Sequence, residues 1–139
     1  MAAKVITAAN VLAGPNARIT PVVYGETVTA GKAVYRKAAD GRYYLADAND
    51  ATKHAAAGIA LNGGAAGQPG SVVTEDDDFT PGCAMSIGEI LVVGAEATGD
   101  IAPSADLAEG WYPTVLGVAK GTTKMVLKPV AAGAVIPAV

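Results

Sequence analysis

Aromatic residues are scarce in this chain of 139 residues, with one Trp, one Phe and five Tyr. Although 51% of the residues are hydrophobic, Ala and Val carry much of that share, so the core must be thin. A small apolar domain of this kind gains stability by burying surface against copies of itself or a partner. Cysteine is nearly absent: Cys83 stands alone, which excludes an intrachain disulfide and reads as a small apolar residue. With one Cys and one His, a tetrahedral zinc site cannot close. No basic excess exists either. The net charge is −3, the pI is about 5.0, and Lys and Arg are scattered singly apart from Arg36-Lys37. That balance argues against a nucleic-acid partner. Long apolar runs are also missing. The first residues, "MAAKVITAANVLAG", lack the apolar stretch of a signal peptide, and "VAAGAVIPAV" is broken by Gly133 and Pro137. It falls short of the roughly 20 residues a membrane helix requires. A soluble protein with no membrane partner is expected.

Glycine and proline are plentiful, with 17 and 8 residues spread over the whole length. They point to many short strands and turns, and so to an all-β fold. Residues 1–20 have weak periodicity around a turn at Gly14-Pro15-Asn16, and suit an edge strand or an arm reaching a neighbour. From residue 21 the β-prone runs "PVVYG", "KAVYRKA" and "RYYLAD" follow, with Asp40-Gly41 as a hairpin turn between the last two. "DANDATKHAAAG" suits either a short helix capped by Asp50 and stopped by Gly58 or an irregular loop. Further strands are expected at 83–87, 90–93, 112–118 and 124–130.

The two halves of the chain echo each other. "TAGKAVY" (29–35) matches "TPGCAMS" (80–86), and "AAGIALN" (56–62) matches "VLGVAKG" (115–121). Each later landmark precedes a turn region and a valine-containing strand, "GSVVT" or "KMVLKPV". The order of landmarks is kept while the loops differ in length. One β-module used twice would make a small β-barrel or sandwich, with modules at about 21–74 and 79–130 and a tail at 131–139. Chance recurrence of Gly, Ala and Val is the alternative reading.

Chemistry-bearing residues do not assemble into a motif. Gly25 to Lys32 resembles a phosphate loop, but the glycines are too far apart and Ala33 stands where Ser or Thr must hold magnesium. The matching place in the second half holds Cys83 instead of Lys32. His54 lies alone in an alanine-rich segment, no Gly-x-Ser-x-Gly elbow occurs, and a Cys83–His54 pair has no third member. The run Glu75-Asp76-Asp77-Asp78 suits a solvated linker between modules; a cation site or an acidic docking patch is the alternative. Trp111 and Tyr112 suit core packing, a subunit-interface anchor or a ligand-stacking platform. No catalytic residue, metal or cofactor is expected.

The stretch "GETVTAGKAVYRKAADGRYYLADA…AAGIALNGGAAGQPGSVV" resembles the small capsid decoration, or cement, proteins of tailed bacteriophages. Those proteins carry a similar "TAG-x-x-VY" start, an "ADG" hairpin and a later "GIAL" strand followed by "AAGQ". "GDIAPSAD…GWYPTVLGVAKGTTKMVL" has the same character, and the likeness covers roughly residues 21–130. The resemblance implies a β-rich, non-enzymatic virion protein on the outer capsid surface, made in the host cytoplasm. It further implies a homotrimer near local three-fold positions, with the major capsid protein as partner, that stabilises the head against internal pressure. Terminal arms commonly grip by strand addition in such proteins. Val5, Ile6, Val11, Leu12, Trp111 and Tyr112 are the expected capsid or subunit contacts. A head-fibre or tail-associated β-module shares the fold, and a carbohydrate-binding β-sandwich using Trp111 and Tyr112 is the reading from another class. The chain differs from the short, Pro-rich, lambda-type decoration protein in its two repeated modules.

Overall fold

The computed structural model describes residues 4–95 and 97–131, and the expected tail beyond residue 131 lies outside them. The fold is nearly all-β, as its glycine and proline spacing suggests. Its strands are β1 (Arg18–Val23), β2 (Ala33–Arg36), β3 (Tyr43–Leu45), β4 (Gly58–Ala60), β5 (Pro69–Phe79), β6 (Ile90–Val93), β7 (Ile101–Pro103), β8 (Thr114–Ala119) and β9 (Met125–Ala131). Only two short 3-10 turns, Ala8–Asn10 and Ser104–Asp106, interrupt them among the described residues. The order across the curled sheet is β3-β2-β4-β5-β9-β8-β6-β7, and β1 pairs with β5 outside that path.

That order reads the same from either end. β2 lies between β3 and β4, and β4 lies beside β5. In the second half β6 lies between β7 and β8, and β8 lies beside β9. Hydrogen bonds repeat as well. The Lys32 N–H donates to Thr29 O, Gly31 N–H to Ala60 O and Ala60 N–H to Lys32 O, at 3.3, 2.8 and 2.9 Å. Glu89 N–H donates to Ser86 O, Gly88 N–H to Ala119 O and Ala119 N–H to Glu89 O, at 3.0, 2.8 and 2.8 Å. Gly31 and Gly88 both take the left-handed conformation, with φ of 90° and 85°.

The later landmark of the repeat therefore stands, with Gly58-Ile59-Ala60 matching Gly117-Val118-Ala119. A Cβ on Gly58 would strike Val73 O, and one on Gly117 would strike Val126 O. The earlier landmark needs a new register. Thr29-Ala30-Gly31 corresponds to Ser86-Ile87-Gly88, not to Thr80-Pro81-Gly82. Residues 83–87, expected as a strand, form coil and the start of a turn.

β5 is the spine. Its 11 residues pair first with β1 and β4, then through Asp76 and Phe79 with β9. The acidic run is thus the second half of a continuous strand, not a solvated linker. Asp76 is buried, and its carboxylate accepts the Gly14 N–H at 2.6 Å and the Asp78 N–H at 3.0 Å. Asp78 pairs with Lys120 at 2.9 Å and Lys124 at 3.8 Å, and Glu75 pairs with Arg18 at 3.5 Å.

Two apolar clusters fill the fold. Val22, Tyr24, Val28, Val34, Ala60 and Val72 pack inside the first module. The larger cluster joins the modules: Ala33, Ile59 and Val73 of the first meet Phe79, Leu91, Ile101 and Leu127 of the second. Residues 47–57 form a loop rather than a helix. The Asp47 and Asp50 carboxylates accept the Asn49 and Thr52 N–H groups, local bonds that compete with helical pairing. In the Asp40-Gly41 hairpin only Gly41 has positive φ, and Asp40 accepts the Arg42 N–H at 2.9 Å and the Tyr44 O–H at 2.6 Å.

Candidate functional site

The N-terminal residues lie along the seam between the modules. The Lys4 N–H donates to Ile101 O at 2.7 Å and the Thr7 N–H to Gly82 O at 2.8 Å. Leu12 and Thr80 exchange both backbone bonds, at 3.0 and 2.9 Å. In the first module the Gly25 N–H donates to Tyr43 O, whose counterpart in the second module is Ile101 O. Lys4 thus completes the second module as Gly25 completes the first. The expected boundary at residue 20 falls inside β1, and residues 4–13 are bonded to the body of their own chain.

This placement divides the expected contact residues. Val11 is buried, and Ile6 packs partly buried against the inter-module core. Ile6 stands where a Cβ on Gly31 would point, with Val11 3.2 Å from the same point. Val5 and Leu12 face outward, 86% and 58% exposed. Leu12 borders a hollow of about 380 Å³ that Cys83, Thr80 and Thr123 also line. Trp111 packs partly buried on the core, and Tyr112 stacks on His54 with ring centroids 4.8 Å apart. The Tyr112 N–H also donates to Ala48 O at 2.7 Å, which ties the 104–113 loop to the 47–57 loop. One face of the Tyr112 ring is therefore already occupied.

His54 is buried, and its carbonyl accepts the Thr114 hydroxyl at 2.5 Å. The sequence held no sign of this, because the ring's partner lies in the other module. Cys83 has Lys4 and Glu89 as its charged neighbours, not His54, and burial pushes its thiol up. Such a thiol is a weak nucleophile at neutral pH. Among the described residues no group of His, Cys, Asp and Glu could hold a metal ion, and no helix is long and apolar enough to cross a membrane.

A larger hollow, about 720 Å³, lies beside the β2–β3 hairpin and is lined by Pro21, Val23, Pro69, Arg36, Arg42 and Tyr43, among others. The outer surface also carries several exposed aliphatic side chains that sequence reading passed over. They are Ile87, Ile90, Val118, Val126 and Val130, at 76%, 42%, 42%, 42% and 58% exposure. Local pattern gave no sign of them, because Ile90 and Val126 stand among equally apolar neighbours and Ile87 lies outside any strand. What arrangement there is can bind through apolar and strand contacts. Neither the models of protein families nor the curated proteins contain a match to this chain.

Proposed function

We propose that this chain is a structural, non-enzymatic component of a phage virion that binds the outer face of the assembled head and cements it. The observation that carries the proposal is the stretch from Gly25 to Val73, whose likeness to decoration proteins spans one complete module. Its hairpin and Gly-Ile-Ala strand pair as β2, β3, β4 and β5 of that module. Outward-facing Val5 and Leu12, fixed on a bonded segment, offer an apolar grip on the major capsid protein. Many copies in symmetric positions multiply such weak contacts into a stable coat, and a homotrimer near the local three-fold positions would present them together.

The test is cosedimentation of the purified chain with expanded, undecorated heads. Saturable binding is expected, weakened by Val5→Asp together with Leu12→Asp, substitutions that leave the buried Ile6 and Val11 in place. Absence of binding to any expanded capsid lattice contradicts the proposal.

A further inference from the structure

Strand pairing aligns Ile90, Val118 and Val126 side by side across β6, β8 and β9. By the same pairings their counterparts in the first module are Ala33, Ile59 and Val73. Those counterparts are wholly buried, because the second module of the same chain covers them. Ile87, beside the row, corresponds to Ala30, which also packs against the inter-module core. The second module thus presents, uncovered, the face that the first module uses as an interface.

Part of what covers the first face is the β6–β7 hairpin, which meets it at Lys32 and Ala33; Phe79 and Leu127 join the cover from outside the hairpin. The Ala33 N–H donates to Gly99 O at 3.0 Å, a Cβ on Gly99 would lie 3.1 Å from Lys32 Cβ, and Lys32 pairs with Asp100 at 3.4 Å. Register carries each of these residues to the other module. Glu89 stands for Lys32, and Gly41 and Arg42, on the β2–β3 hairpin, stand for Gly99 and Asp100. The pair reverses sign at both positions and stays complementary. Arg42 is exposed. Glu89 binds Lys4 at 2.8 Å and accepts the Ser86 N–H at 3.3 Å through Oε1, and its side chain keeps 20% of its surface exposed.

We propose that the Ile90–Val118–Val126 row docks the β2–β3 hairpin of a second copy of this chain, with Glu89 facing the second copy's Arg42. The contact repeats between copies one end of the contact that joins the modules within a copy, where Lys32 meets Asp100. It is head-to-tail, so it propagates until it closes into a ring or extends as a filament. The inference stands without the capsid reading, since it concerns the protein alone in solution.

Sedimentation velocity of the full chain, from micromolar to millimolar concentration, tests it. Concentration-dependent self-association is expected. Val118→Glu should abolish it, while circular dichroism and the melting midpoint stay near those of the parent. Glu89→Arg and Arg42→Glu should each weaken association by about ten-fold or more, since each brings like charges together. The double variant E89R/R42E should restore it, a rescue that lost packing would not give. A parent chain that is monomeric throughout overturns the proposal. So does association that Val118→Glu leaves intact, or single charge reversals without effect. If the parent is monomeric and a chain ending at residue 131 associates, the chain's own last residues cover the row, and the proposal is wrong.

Discussion

Gly31 shows how one residue can mislead and then inform. Beside Lys32 it looks like part of a phosphate loop, yet Ile6 fills the space its side chain would need and its φ of 90° favours glycine. Gly58 and Gly117 answer to a different demand, the close approach of Val73 O and Val126 O on the neighbouring strand. Substituting either by Ala forces backbone apart inside the sheet. The expected loss is about 3 kcal/mol for each variant, read from urea unfolding midpoints. Asp76 is the third decisive residue. Asp76→Ala would strand the Gly14 and Asp78 amides away from water, and should cost about 2–3 kcal/mol in the same measurement. A loss near zero would mean that water replaces the carboxylate at both amides.

At the scale of elements, most strands were legible in the sequence. The β2–β3 hairpin follows from Asp40-Gly41 between two β-prone runs, and β4 and β8 follow from Gly-x-Ala. Local pattern failed where a distant partner decides the outcome. Thr-Pro-Gly at 80–82 imitates Thr-Ala-Gly at 29–31, but the true counterpart, Ser86-Ile87-Gly88, is marked by the bond to Ala119 O. Likewise, four successive carboxylates look like solvated chain until the Gly14 amide, far away in sequence, claims one of them. For the candidate site, Val5, Ile6, Val11 and Leu12 were all read as capsid or subunit contacts, and only Val5 and Leu12 of the four face outward. Ile6 and Val11, at neighbouring positions, are inside, because a weakly periodic segment gives no sign of which side meets the seam. β5 should be the most protected element, flanked at Val72 and Val73 by both β1 and β4. Native-state hydrogen exchange is expected to find its slowest amides there, and faster exchange at Val73 than in β3 would contradict that role.

For the whole molecule, charge sets the response to pH. Several carboxylates are held below their ordinary range. Glu89 is lowered by its bond to Lys4, Asp78 by Lys120, Asp40 by the Tyr44 hydroxyl and Asp50 by Thr52. A carboxyl depressed by folding contributes stability above its unfolded pKa of about 4, and that stability is lost as pH falls through its folded value. The melting midpoint should therefore hold steady from neutral pH to about pH 5 and decline below about pH 4. Glu89→Gln should flatten part of that decline. A midpoint that rises on acidification would contradict these pairings.

Cementing, the central claim, concerns the head rather than the isolated chain. Undecorated, DNA-filled heads are heated with and without saturating protein, and DNA release is followed by the fluorescence of an intercalating dye. Decorated heads should release their DNA at a higher midpoint temperature, with the increase following occupancy up to saturation. Heads that bind the protein fully and still release their DNA at the undecorated midpoint would contradict the account.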